Sequence, residues 1–246
     1  MNTNLNINMK NYIKNFILII SVFLATHVQG QEQGIAIYTV EPSLDEDDFM
    51  YESLTSNFPD VLDFLEELSF QLVFDMERSY FTLEDKLFSD DHKVLAASLL
   101  VHFSGDKLKN EYGFLSDIST SPMVKEKWLE SQCHSNWEIT QESKEIKGYK
   151  VYKAKISYQE GNDLSEFITK NATAWFCPEI NLPHGPQEFC GLPGLIFELQ
   201  TPHATFGLTS IVFKEVTFPD VKEDEIISKE DFNKLMNQQM KKYNFK

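Results

Sequence analysis

Seven of the nineteen Gly and Pro residues in this 246-residue chain fall within the seventeen positions from Pro178 to Gly194. Glycine and proline punctuate backbone structure, so a cluster this dense demands a bent connection between regular elements. Leu192-Pro193-Gly194-Leu195 puts Pro and Gly at the two central positions of a type II turn, and Gly185-Pro186 imposes an earlier bend. The segment leads directly into Leu195, Phe197 and Leu199, which alternate as one face of a strand.

The surrounding sequence carries the same two-residue period. Tyr152, Ala154, Ile156 and Tyr158 share a face opposite Lys153 and Lys155, Ala172–Phe176 forms a further strand, and Thr209–Phe218 forms another. The stretch from Trp137 to Phe218 therefore reads as a β-meander. Ile35–Val40 is a first strand ended by Pro42, and Phe70, Leu72, Phe74, Met76 and Tyr80 alternate as one more. Leu95–Phe103 and Lys107–Phe114 flank a Ser-Gly-Asp turn as a hairpin, with a helix over Leu95–Leu100 as the alternative.

Helical signals are fewer. Val61, Phe64, Leu65 and Leu68 recur at helical spacing after Pro59, Ser43 and Glu46 are spaced as a capping box, and Ser228 opens a last helix carrying Phe232, Leu235 and Met236. The expected fold class is α+β, mainly β: one curved antiparallel sheet of about seven to nine strands, a half-barrel-like meander, with two or three packed helices.

Ala174-Trp175-Phe176-Cys177-Pro178-Glu179-Ile180, Gly185-Pro186 and Gly191-Leu192-Pro193-Gly194-Leu195-Ile196 together resemble the GLPGLI family. Trp137-Glu138-Ile139, Ile146-Lys147-Gly148-Tyr149 and Lys153-Ala154 extend the resemblance upstream, so it covers residues 135 to 200. It implies a secreted or periplasmic protein of a bacterium with an outer membrane, and it brings no established activity and no catalytic residue. The chain departs from the family pattern at Val151, where many members have Cys, and at Cys177, His184 and Cys190.

Residues 1–30 hold Lys10, Lys14, no acid, and the apolar run Phe16–Ala25. A basic start, an apolar stretch of about ten residues and a small-residue exit are the parts of a secretory signal peptide, with Gln31 as the new N-terminus. An uncleaved anchor helix is the rival reading. Residues 31–246 are then one β-rich domain, periplasmic or secreted. The whole chain carries 38 Asp and Glu against 22 Lys and Arg, a net charge of −16, and losing the leader would remove only basic charge. Such acidity disfavours nucleic acid and anionic membrane surfaces as partners. No later run approaches the roughly 18 apolar residues of a membrane span, so no stable insertion is expected after cleavage.

Three cysteines in an exported chain suggest one disulfide and one thiol left over. Cys177 and Cys190 enclose a short loop whose closure would contribute ~3 kcal/mol in the chain-entropy model; Cys133 is then free or competes for either partner. Cys177, His184, Glu188 and Cys190 could alternatively ligate a metal, although the spacing matches no zinc template. Motifs of nucleophilic hydrolases, zinc proteases and phosphate-binding loops are missing from the sequence, so no cofactor is expected.

The leading expectation is a non-enzymatic envelope protein. It would bind a hydrophobic ligand, either lipid or peptide, or a protein partner, through a groove on the concave face of the sheet or through the loop containing Gly185, Pro186, Gly191, Leu192, Pro193 and Gly194. Trp175 stands beside that loop as a core anchor or a stacking surface. The alternative is a metal binder or enzyme centred on Cys177, His184 and Cys190.

Overall fold

The computed structural model describes residues 33–43, 49–84, 91–121, 124–160 and 168–242. The leader, the 43–46 capping box and the 160–163 turn lie wholly or partly outside them. One curved sheet holds twelve strands: β1 (Gly34–Pro42), β2 (Ser69–Phe74), β3 (Ser79–Leu83), β4 (Lys107–Asn110), β5 (Gly113–Asp117), β6 (Trp128–Ser131), β7 (Glu138–Ile146), β8 (Tyr149–Glu160), β9 (Ile168–Cys177), β10 (Leu195–Gln200), β11 (Ala204–Phe213) and β12 (Ile226–Ile227). Their order is β12-β6-β5-β4-β3-β2-β1-β11-β10-β9-β8-β7, and every pairing is antiparallel except β12 with β6.

The sheet is thus two meanders joined through β1. It is β-dominated, as the two-residue period implies, and larger than the expected seven to nine strands. β1 is central because both its edges are paired, to β2 and to β11. Its inward residues Ala36, Tyr38 and Val40 are buried, and the Tyr38 hydroxyl donates to the Ile196 carbonyl at 2.7 Å, which satisfies a polar atom in the core. Burial pushes that phenol far above its ordinary range.

Four helices accompany the sheet: α1 (Phe49–Asn57), α2 (Val61–Leu65), α3 (Asp91–Leu100) and α4 (Lys229–Lys242). α3 corrects the strand expected over Leu95–Phe103. It ends with His102 at φ 54°, Phe103 N–H donating to Ser98 O and His102 N–H to Leu99 O, a Schellman close made without glycine. Phe103 then enters a cluster with Phe70, Phe81 and Phe206, ring centroids 4.9–6.0 Å apart. β4 consequently pairs with β3 and β5, not with the Leu95 segment.

The single strand expected from Phe70 to Tyr80 is a hairpin. The Asp75 carboxylate accepts from the N–H groups of Glu77 (2.9 Å) and Arg78 (2.6 Å) and turns the chain where no Gly or Pro marks it. The turn reverses parity, so Ser79 and Phe81 face the main core while Tyr80 joins a second cluster of Leu108, Leu115, Trp128 and Val221. The last strand of the long meander starts at Ala204 and ends at Phe213, shifted from the expected Thr209–Phe218. Ser228 caps α4 as anticipated, its Oγ accepting from the Asp231 N–H at 3.1 Å.

Candidate functional site

The Pro178–Gly194 loop folds back over the sheet as a plug. Ile180, Leu182, Phe189 and Leu192 are buried in the main core, as are the motif residues Leu195 and Ile196. Together with the apolar faces of α2 and α3, they fill, among the described residues, the apolar face on which an open groove is expected. That groove is corrected: its own chain occupies it, because burying these side chains removes apolar area from water without a ligand.

Within the plug, the type II turn is also corrected. Leu195 N–H donates to Ile180 O at 2.9 Å, so Leu192 O accepts instead from Gly194 N–H at 2.8 Å, a three-residue turn centred on Pro193. Gly194 is required: its φ is +155° and a Cβ there would stand 2.2 Å from the Cys177 carbonyl oxygen. Gly185 is required by crowding, with Ile196 Cδ1 2.4 Å from where its Cβ would be. Gly185, Pro186, Leu192 and Gly194 are buried, while Gly191 and Pro193 reach solvent. Trp175 is half-buried on the opposite face of β9, its ring 4.4 Å from Lys144 Nζ and 5.7 Å from Lys153 Nζ.

The disulfide joins Cys133 to Cys190, not Cys177 to Cys190. Cys177 ends β9 with its thiol buried, where desolvation raises its pKa, while Cys190 lies at the far end of the plug beside the segment that follows β6. There His134 N–H donates to Glu188 O (2.6 Å), Cys190 N–H donates to His134 O (3.2 Å), and the Trp137 indole N–H donates to Cys190 O (2.8 Å).

The proposed Cys177, His184, Glu188 and Cys190 constellation is therefore taken apart. His184 is fully buried, and its Nε2 donates to the Asp75 carbonyl at 2.9 Å, since that oxygen can only accept. Its Nδ1 has no partner among the described residues, and burial followed by the charge of Lys109 holds the pKa down to about 4. Glu188 is ion-paired with Lys107 at 2.7 Å. Among the described residues no group of three His, Cys, Asp or Glu side chains could hold a metal.

Among the described residues, open volume lies beside β8. A cleft of about 880 Å³ separates β5 and β6 from the far end of β8, floored by residues 132–136 and walled on one side by the first turn of α4. Tyr112, Phe114, Tyr158 and Phe232 supply rings; Ser131, Ser135, Asn136 and Gln159 supply uncharged polar groups. A cavity of about 440 Å³ shares His134, Tyr158 and Gln159 with it and adds the stacked pair His102 and His203, centroids 3.4 Å apart. The site is not legible in the sequence because its walls come from strands far apart along the chain.

The fold and cleft define a β-sheet domain with a mixed polar and aromatic depression. A family model described as a protein of unknown function (Porph_ging) matches residues 158–198, from the end of β8 through the plug into β10. No curated protein matches the chain. Two solved structures of PNGF-II, in space groups P21 and C2, give TM-scores of 0.46 and 0.44 at 8% and 10% identity over 83% of this chain. The chain spans about a third of their length, 33% and 32%.

Proposed function

We propose that this protein is an exported, non-enzymatic binding module and that its occupant is a polypeptide segment of an envelope or extracellular partner, held in the 880 Å³ cleft. The observation that carries the reading is the contrast between two surfaces. The apolar face of the sheet is filled by the plug and helices, whereas the open cleft combines four aromatic rings with Ser, Asn and Gln side chains. A lipid tail would leave those polar groups unsatisfied on burial, while a peptide offers both hydrogen-bonding and apolar atoms.

The test places a photo-crosslinking phenylalanine analogue at Phe114 in the cleft, or at exposed Lys150 on β8 as a control, in the chain produced in its native cells. A discrete protein adduct at position 114, missing at 150, is expected. Lipid adducts, or equal labelling at both positions, would overturn the reading.

A further inference from the structure

β8 carries a strand on both edges for only part of its length. On one side β9 follows it to the end, Glu160 opposite Ile168. On the other, β7 begins at Glu138, opposite Lys155, and no strand among the described residues continues the ladder along Ile156, Ser157 and Gln159. A strand edge presents alternating N–H and C=O groups that pair readily with another extended chain, and folded proteins normally cover or charge it. Among the described residues this edge has no strand beside it, and it borders a cleft.

The chain's own candidate to fill it is diverted. Residues 133–137, which directly precede β7, are pulled to the plug by the Cys133–Cys190 disulfide, the His134–Phe189 bridge and the Trp137 indole bond to Cys190 O. The 880 Å³ cleft borders this edge, and a hollow of about 700 Å³, with Trp137, Lys155 and Thr173 in its wall, opens beside it. The two share Asn136, Ile156 and Ser157.

We infer that this is a strand-addition site, in which an extended peptide of about five residues hydrogen-bonds to the backbone of β8 at Ser157 and Gln159. The inference rests on the binding-module reading and specifies its mode. A peptide is the occupant because its backbone matches a row of alternating donors and acceptors, the basis of recognition by β-augmentation. The chain's net charge of −16 selects a basic one by long-range attraction.

The test uses the disulfide-intact protein and a nine-residue probe alternating valine with lysine and threonine, alongside the same peptide N-methylated at every residue, which keeps the side chains and removes the backbone donors. Amide exchange and nitrogen–proton correlation spectra are followed. The expected result is exchange slowed at Ser157 and Gln159 and roughly tenfold weaker binding of the methylated probe. Equal binding of both probes in the cleft would overturn strand addition and leave the binding module standing. Failure of both probes to protect this edge would also overturn it, the module itself being judged by the crosslinks. Protection without peptide in a self-associated protein would assign the edge to a second copy and overturn it too.

Discussion

Lys107 on β4 places its ammonium 2.7 Å from the Glu188 carboxylate in the plug, joining two segments 81 positions apart through an ion pair whose lysine side chain is only 5% exposed and whose glutamate is 27% exposed. The asymmetry predicts unequal substitutions. Glu188→Gln leaves a buried, uncompensated ammonium and should destabilise by about 3 kcal/mol. Lys107→Met removes the buried charge and leaves a carboxylate with some access to water, so its effect should stay within ~1 kcal/mol. Urea unfolding at pH 7 measures both; equal losses would refute the asymmetry.

His184 links stability to pH. Its folded pKa, about 4, lies below the ordinary 6.5, so the unfolded chain binds the proton more readily between these values. The contribution is fully present above pH 6.5 and is lost as pH falls toward 4, roughly 3 kcal/mol across the window. The depressed carboxylates act lower: Asp75 stays below 3.8 because its backbone and Arg78 hydrogen bonds outweigh burial, and Asp231 does so through Ser228 and then Lys234. Replacing His184 with Gln should flatten the stability profile between pH 6.5 and 4 while leaving the steeper acid limb. An unchanged slope would show that the ring is not the titrating group.

The legible parts of this fold are those whose signal is local. Tyr152 through Tyr158, Ala172 through Phe176 and Leu195 through Leu199 alternate within single strands, and all three strands form where the period places them. The Asp75 hairpin is hidden in the sequence because its turn is written in one carboxylate rather than in Gly or Pro, and because apolar alternation runs across it unbroken. α3 was ambiguous because an apolar run buried on most sides has no helical stripe. The disulfide is illegible for a different reason: proximity in sequence favours Cys177, yet the plug carries Cys190 away to Cys133, 57 positions upstream. The cleft is the least legible feature, being a gap between strand edges that meet only in three dimensions.

Gly194 and Gly185 test the plug directly. At Gly194 a methyl group would collide with the Cys177 carbonyl, which is backbone and cannot rotate away, and the φ of +155° disfavours any L side chain. Gly194→Ala should therefore destabilise by roughly 3 kcal/mol or more. At Gly185 the nearest atom is the end of the Ile196 side chain, although the Phe189 carbonyl oxygen at 2.9 Å limits relief. Gly185→Ala paired with Ile196→Val should recover part of the loss of Gly185→Ala alone, whereas the same Val change should not rescue Gly194→Ala. Thermal melts of the four variants separate the two kinds of crowding.

The Cys133–Cys190 bond does two things at once, and its removal should show both. Chain entropy alone assigns about 4 kcal/mol to a cross-link closing a loop this long. The same bond holds residues 133–137 away from β8, so Cys133→Ser with Cys190→Ser, studied where the variant remains folded, frees that segment to prolong β7 beyond Glu138. Amide exchange at Ser157 and Gln159 should then slow without any added peptide, and the lysine–valine–threonine probe should bind more weakly because its place is taken. Thiol titration supplies the control: in the native protein the Cys177 thiol, buried and with a raised pKa, should react only on unfolding. If the double variant loses stability but leaves exchange at Ser157 and Gln159 and probe affinity unchanged, the disulfide is a staple alone and does not keep the strand edge open.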